Sequence, residues 1–159
     1  MFRSMRRSAQ ALTKEQCIDI LKKRTSGVLS LLGDNGYPYG VPMSFVYVDG
    51  KLLFHSALSG HKIDALQRCK KSSFTVIDAD EVIAHKLTSA YRSVICFGKI
   101  TLLEAQAKEQ ALRALANKYS SDFPEEIERE MREDKDRTAV LAFEVEHMSG
   151  KRGSETALT

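Results

Sequence analysis

One short segment of the chain has residue types and spacing that suit the binding of an anion. Ser59-Gly60-His61-Lys62 follows a predicted strand and forms the start of a predicted helix over residues 61–66, whose apolar positions have helical spacing. Free N–H groups at a helix start favour a phosphate, and His61 and Lys62 add donors and positive charge. This segment alone supports equally a phosphate site and a capped surface helix with two solvated cations; Ser59 is the expected N-cap.

A second candidate is His55, which lies near the end of a predicted strand. A neutral or protonated imidazole at this place can pass a proton to a bound substrate. The competing interpretation is a strand-end histidine that is held in place by a hydrogen bond. Neither His85 nor His147 has a partner at the spacing of metal ligands, so we predict no metal site.

The elements around these residues follow from turn signals and periodicity. Thr13 and Gln16 form a capping box, and Asp49-Gly50 suits a type I′ hairpin. Strands are predicted at 27–32, 39–48, 51–56, 73–77, 93–103 and 139–146, and helices at 14–24, 61–66, 104–119 and from 124 onward. Hairpin-linked strands with late helices and no βαβ rhythm predict a mainly β (α+β) fold, an antiparallel barrel with peripheral helices. Residues beyond His147 show no periodicity and are predicted to be irregular.

The length and the charge limit the possible classes of protein. A chain of 159 residues predicts a single domain over 1–159, with an N-terminal arm over residues 1–12 and an irregular tail over 150–159. A net charge of +3, from 24 basic and 21 acidic side chains, is too balanced for a protein that coats nucleic acid. We interpret the arginines at 3, 6 and 7 as a solvated arm or a dimer contact, and we expect no nucleic-acid partner.

The cysteines and the apolar runs indicate a cellular compartment. Cys17, Cys69 and Cys96 are an odd number at wide spacing, which is typical of reduced thiols. No apolar stretch follows the basic N-terminus as a secretion signal requires, and the apolar runs are far shorter than the roughly 18 residues of a membrane span. The sequence therefore predicts a cytoplasmic protein without membrane contact.

Four stretches, in order, resemble the Nim nitroimidazole-resistance proteins, within the pyridoxamine-phosphate oxidase-like family of flavin-binding split barrels. They are GYPYGVPMSFVY, FHSALSGHKIDAL, YRSVICFGK and EHMSGK, and the similarity runs from about Arg3 to Lys151. The resemblance implies an antiparallel split β-barrel that binds FMN, with FAD possible. It implies electron transfer from the reduced flavin to a small planar acceptor such as a nitro compound. The alternative is a split barrel that binds flavin or haem without turnover.

The resemblance also implies which residues border the flavin. The stretch 41–45 would lie along the isoalloxazine ring, His55 and Ser56 would border the ring, and three further residues would hold the phosphate. The full set is Val41, Pro42, Met43, Ser44, Phe45, His55, Ser56, His61, Lys62 and Ser93, and His55 is the one candidate for catalysis.

The chain departs from true pyridoxamine-phosphate oxidases at three places. It has no tryptophan, it has the apolar Phe45 on the strand where those enzymes carry a basic residue, and it has Glu146-His147-Met148-Ser149-Gly150 near its end in place of their Arg-x-His element. These departures put the oxidation of vitamin B6 in doubt.

The apolar strands predict a homodimer. Residues 94–97 and 140–143 leave more apolar strand surface than the few predicted helices can cover, and pairing of two copies would bury it. The resemblance implies that each flavin then touches both chains at the interface.

Overall fold

A computed structural model describes residues 1–133 and 135–153, with the side chain of Lys135 left aside. The helices are α1 (Lys14–Lys23), α2 (His61–Arg68), α3 (Ala105–Ser120) and α4 (Pro124–Glu133). The strands are β1 (Ser26–Leu32), β2 (Pro38–Ser44), β3 (Val46–Val48), β4 (Lys51–Ala57), β5 (Lys71–Ile83), β6 (Thr88–Leu103) and β7 (Thr138–Arg152).

The described strands form one antiparallel sheet in the order β2-β1-β5-β6-β7-β4-β3. β2 and β3 are at opposite ends of this order, yet only Phe45 separates them in the chain. One residue spans at most about 3.6 Å, so the two edges of the sheet must meet. The sheet therefore closes into a barrel that is split at Phe45, and the predicted fold class is confirmed.

The barrel core is built on buried aromatic rings. Phe45, Phe54 and Phe74 are fully buried, with ring centroids 4.9 Å apart for Phe45 and Phe74 and 5.0 Å apart for Phe54 and Phe74. Each buried ring stabilises the fold by about 1.5–3 kcal/mol through loss of apolar surface alone. α1 and α2 add their apolar faces to the same core, through Cys17, Ile20, Leu21, Ile63, Ala65 and Leu66.

A second, smaller cluster lies on the other face of β4 and β7. Leu53 and Ala142 are paired across these strands and pack with Ala111 and Leu112 of α3. α3 therefore covers the outside of β4 and β7, whereas α1 and α2 pack against the barrel interior.

Local signals in the sequence were read correctly. The Gln16 N–H donates to Thr13 Oγ1 at 3.2 Å and the Thr13 N–H donates to Gln16 Oε1 at 2.9 Å, which is the predicted capping box. Asp49 and Gly50 have φ values of 46° and 81°, so the β3–β4 hairpin has the positive φ angles of a type I′ turn.

Four expectations were wrong. The strand predicted at 39–48 is two strands, because the ladder breaks at Phe45. β5 reaches Ile83, and α2 has Gly60 as its N-cap instead of Ser59. β7 continues through Arg152, so the tail is not irregular from 150, and residues 154–159 lie outside the described part of the chain.

Small residues explain why the end of β7 was missed. Gly150 pairs with Val94 of β6, and a Cβ added there would lie 2.4 Å from Cys17 Sγ. The close packing of α1 therefore requires glycine at position 150. A larger apolar residue there would have continued the alternating pattern that indicates a strand.

No helix in the described part of the chain is long and apolar enough to span a membrane.

Candidate functional site

The start of α2 is held against the β1–β2 turn. Its N-cap, Gly60, has φ of +119°, a conformation that disfavours any residue with a side chain. The His61 ring stacks on Tyr39 with centroids 4.0 Å apart, and His61 Nε2 lies 3.5 Å from Asp34 Oδ2. Arg68, at the other end of α2, binds the same carboxylate at 2.6 Å. These contacts at both ends of α2 fix the position of the helix start.

The two cations predicted for a phosphate are in different situations. The imidazole of His61 already contacts a ring and a carboxylate, whereas Lys62 is half-buried and forms no salt bridge with any described residue. The Ile63 N–H donates to Gly60 O at 2.9 Å, so the N–H groups of His61 and Lys62 are the ones at the helix start without a partner inside the helix. Lys62 and these N–H groups are therefore the donors most available to an anion.

A cavity of about 260 Å³ lies where β2 and β4 meet the helices α3 and α4. Two predicted site residues, Ser44 and His55, line it. Its remaining lining residues come from the helices and from the start of β7: Leu112, Leu115, Ala116, Tyr119, Ile127, Glu130, Met131 and Thr138. The structure thus brings a hydroxyl and an imidazole together in a mainly apolar space.

Side chains of α3 complete the hydrogen bonding where the barrel is split. The Phe45 N–H donates to Tyr119 Oη at 2.8 Å, and Phe45 O accepts from Lys118 Nζ at 2.9 Å. The Tyr119 hydroxyl lies 2.7 Å from Phe45 O and 2.5 Å from Thr25 O, which are the acceptors for its proton. Lys118 Nζ also donates to Arg24 O at 2.5 Å.

The environment of this contact shifts two pKa values. Burial lowers the pKa of the Lys118 ammonium from its ordinary value of 10.5. Burial also raises the pKa of Tyr119 above 10.0, although the hydrogen bond from the Phe45 backbone opposes this rise. Tyr119 therefore stays a neutral phenol that both accepts and donates, as the split requires.

The stretch 41–45 presents two faces. Val41, Met43 and Phe45 point toward the core, and Pro42 and Ser44 are exposed. The polar backbone groups of Phe45 already have partners in Thr25, Lys118 and Tyr119. A ligand lying along this strand would therefore meet the side chains of Pro42 and Ser44.

Ser56 and Ser93 occupy separate places. Ser56 follows His55 on β4, but its side chain points inward, and its buried Oγ has no hydrogen-bond partner in the structure. Such an unsatisfied hydroxyl costs about 1–3 kcal/mol, so a bound polar group that reached it would restore a lost interaction. Ser93 is half-buried on β6 and does not line the cavity.

The outer face of the sheet joins Pro42 to the region of Ser93. Pro42 pairs with Val28, Val28 with Thr75, and Thr75 with Ile95, two residues beyond Ser93. At about 4.8 Å per strand, this row is roughly 14 Å long. It is long enough to carry an extended ligand across four strands.

The apolar surface expected at a dimer interface is placed differently from the prediction. Val140, Leu141 and Phe143 are fully buried within the chain, so the stretch 140–143 does not supply it, and in the stretch 94–97 Val94 and Cys96 are buried while Phe97 is exposed. Large exposed apolar side chains of the outer face include Val28 (39 %) and Ile77 (65 %) in addition to Phe97 (38 %).

His147 packs against the N-terminal arm. Its ring stacks on Phe2 with centroids 4.6 Å apart, and Phe2 lies 5.6 Å from Phe97, so the N-terminal arm contacts β6 and β7. Within the described residues, no group of three or more His, Cys, Asp or Glu side chains has the arrangement of a metal site.

A sequence-family model described as pyridoxamine 5′-phosphate oxidase matches residues 13–152. The chain belongs to this family. The match covers the barrel and all of the predicted site residues, which lie between 41 and 93. No protein of curated function matches the chain in sequence.

Solved structures with the same fold include proteins of several functions. One is a protein from Bacteroides thetaiotaomicron assigned provisionally to 5-nitroimidazole antibiotic resistance, with TM-score 0.74 and 24% identity over 89% of this chain and 86% of that one. Another is the FAD- and haem-binding protein of Mycobacterium smegmatis, with TM-score 0.80 and 23% identity over 92% and 74%. A third is an FAD-binding protein of Mesorhizobium loti, with TM-score 0.65 and 22% identity over 91% and 98%. At these identities the similarity shows a shared fold.

Sequence reasoning missed the helical side of the cavity. Tyr119 lies in the apolar repeat of α3, and this pattern predicts a core position without indicating its hydrogen bonds. Glu130 lies among several glutamates, which predict only a solvated helix face. The only usable signal was the polar tip of Tyr119, because a buried tyrosine hydroxyl usually has a partner.

Proposed function

We propose that this protein is a flavin-dependent oxidoreductase that passes electrons from a reduced flavin, FMN or FAD, to a small planar acceptor such as a nitro compound. The observation that carries the proposal is the cavity that Ser44 and His55 line together. Its volume of about 260 Å³ is slightly below the roughly 300–1,000 Å³ of sites for drug-sized ligands. It suits one small ring, and the flavin would lie next to it.

The flavin would extend from the cavity to the start of α2. Lys62 and the free N–H groups of α2 would hold its phosphate, because a charge-assisted contact and a helix start both favour an anion. Pro42 and Ser44 would border its ring system, whereas the buried Ser56 faces the barrel interior and would lie behind them. The side chains of Val41, Met43 and Phe45 face the core, so these residues would act indirectly, by holding the strand that borders the flavin in position.

His55 would supply a proton to the acceptor. A reduced flavin, when bound, provides two electrons, and reduction of a nitro group to a nitroso group consumes two electrons and two protons and releases one water. The exposed imidazole of His55 lies on the cavity wall, where it can donate one of those protons.

The assembly we propose is a homodimer with a flavin site at each side of the interface. The exposed Val28, Ile77 and Phe97 support it, since pairing of two copies would remove these side chains from water. We place the protein in the cytoplasm, where the free thiols of Cys17, Cys69 and Cys96 would stay reduced.

Stopped-flow mixing of the reduced holoprotein with a nitroimidazole tests the function. We expect reoxidation of the bound flavin to be at least tenfold faster than that of free flavin, and His55→Gln to slow it by tenfold or more. Reoxidation no faster than that of free flavin would overturn the proposal. It would favour a module that stores flavin or haem, an alternative kept open by the fold shared with the FAD- and haem-binding protein.

A pair of lysine variants tests the phosphate site. Lys62→Ala should weaken FMN binding to the apoprotein by about 1.5–3 kcal/mol, the range for a hydrogen bond to a charged group. Lys99→Ala is the control, because Lys99 lies on β6 and pairs with Glu146 at 3.0 Å. Fluorescence quenching titrations that give equal affinities for the two variants would remove the phosphate from this place.

Sedimentation equilibrium at submicromolar protein, with and without flavin, tests the assembly. We expect a dimer that flavin stabilises through mass action. A flavin-loaded monomer would exclude a site shared between two chains.

A further inference from the structure

The sign of the charge at the cavity differs from the sign at the start of α2. Among the cavity-lining residues, Glu130 of α4 carries the one permanent charge, and it is negative. At the start of α2, the residue available to an anion is the cation Lys62. A flavin that spans both places would therefore have its phosphate end in a positive field and its ring end beside a carboxylate.

Glu130 differs from its neighbour Glu128. Glu128 pairs with Arg113 of α3, and the guanidinium lowers the pKa of that carboxyl, so its charge is neutralised within the protein. Glu130 forms no salt bridge with any described residue. Its charge consequently remains at the rim of the cavity, next to the apolar side chains of Ile127 and Met131.

We propose that Glu130 selects the electron acceptor by charge, so that the cavity takes neutral or cationic planar molecules and disfavours anionic ones. This inference rests on the proposed function, because it assigns the cavity to the acceptor. A carboxylate at about 6 Å from a like charge in a water-like medium reduces binding about threefold, and the effect grows as the apolar wall excludes water. Glu130 is thus a specificity-determining residue at the edge of the site.

Three ring compounds of equal size test the charge preference: 4-nitrobenzyl alcohol, 4-nitrobenzylamine and 4-nitrobenzoate. Ligand-observed NMR titrations of the oxidised holoprotein at pH 8 give their affinities without any turnover. We expect the benzoate to bind at least threefold more weakly than the alcohol, and the amine to bind at least as tightly as the alcohol. In Glu130→Gln, the benzoate should gain about threefold in affinity while the alcohol stays unchanged.

Glu125→Gln is the matched control. It removes the same charge from the same helix, but five residues away, which puts the side chain on the opposite face of α4. It should leave all three affinities unchanged. Raising the salt concentration from 0.05 to about 1 M shortens the screening length to about 3 Å and should shrink the discrimination in the wild-type protein.

Equal affinities for the three compounds in the wild-type protein would overturn the inference, as would equal effects of Glu130→Gln and Glu125→Gln. Stopped-flow reoxidation with the same compounds separates this failure from failure of the proposed function. Fast reoxidation by all three without a charge preference would leave the oxidoreductase in place and remove the role of Glu130. Charge-selective binding without reoxidation would keep the role of Glu130 and remove the oxidoreductase.

Discussion

Two interruptions of the sheet, at Asp78 and at Phe45, are bridged by side chains in different ways. At Asp78 the register between β5 and β6 shifts, and the buried carboxylate binds Arg24 Nε at 2.6 Å and Arg92 Nε on its other oxygen. At Phe45 the strand ends, and Lys118 and Tyr119 provide the missing hydrogen bonds. One repair uses Arg92 of β6 and Arg24 at the end of α1, and the other uses α3, a helix more than seventy residues later.

The two interruptions differ in whether the side chains that bridge them also line the cavity. Neither Asp78 nor its two arginines line the cavity, so we expect that repair to act on stability more than on ligand binding. Tyr119 repairs the split and also lines the cavity, so the closure of the barrel and the shape of the site depend on the same side chain. Substitutions at the two interruptions should therefore separate stability from ligand binding.

Asp78→Asn should produce the largest loss of stability. The Asp78 side chain is only 1% exposed, and its removal as an anion leaves two guanidinium groups facing each other without a counter-charge. Breaking a buried ion pair costs about 3–5 kcal/mol, and the partial exposure of both arginines places the expected loss nearer 3 kcal/mol. Urea unfolding measures it.

Asp80→Asn is the control for that variant, because Asp80 is an exposed residue of the same strand. Its free energy of unfolding should change by less than about 0.5 kcal/mol. If Asp78→Asn weakened FMN binding under conditions where the protein is folded, the two interruptions would not differ as described.

Tyr119→Phe should have a smaller effect on stability and a larger one on the site. Loss of the hydroxyl leaves backbone groups of Thr25 and Phe45 with fewer partners, at a cost of about 1–2 kcal/mol in the free energy of unfolding. Because the hydroxyl anchors the ring that lines the cavity, loss of its hydrogen bonds lets the ring move, and binding of the neutral nitrobenzyl alcohol should weaken several-fold. Tyr37→Phe removes a hydroxyl from a side chain that is 73% exposed and should change neither property.

The pH dependence of stability should show the smallest effect. Burial by itself raises the pKa of the Asp78 carboxyl, but the hydrogen bonds from Arg24 and Arg92 outweigh it and hold this pKa below 3.8. Since the pKa is lower in the folded state, the stabilisation is present above pH 3.8 and is lost as the pH falls through the folded-state value.

Urea unfolding of the wild type and of Asp78→Asn between pH 5 and 2 measures this contribution. Below about pH 3.8 the wild type should lose stability more steeply than Asp78→Asn. Its unfolded state binds up to one proton more than its folded state, which adds roughly 1.4 kcal/mol per pH unit to the slope. Parallel curves for the two proteins would show that Asp78 does not titrate as described.

Most of the fold could be predicted from local sequence patterns, whereas most of the site depends on contacts between residues far apart in the sequence. The capping box at Thr13 and the turn at Asp49-Gly50 depend on residues a few positions apart, so the sequence predicts them directly. The split at Phe45 depends on Tyr119, and no pattern near residue 45 indicates that partner. For the same reason the sequence predicted His55 but could not predict Glu130, which reaches the cavity only through the packing of α4 on α3.

The position of β7 in the sheet determines when the protein can fold. The strands made first, β1 to β6, fall into two groups, and β7 lies between them because it pairs with β6 on one side and β4 on the other. During synthesis, the edges of β4 and β6 that pair with β7 therefore stay unpaired until residues 138–152 leave the ribosome. Such edges invite pairing with other chains, and distant strand pairing is slow. Completion of the barrel consequently requires β7, and a chain that stops before β7 should aggregate.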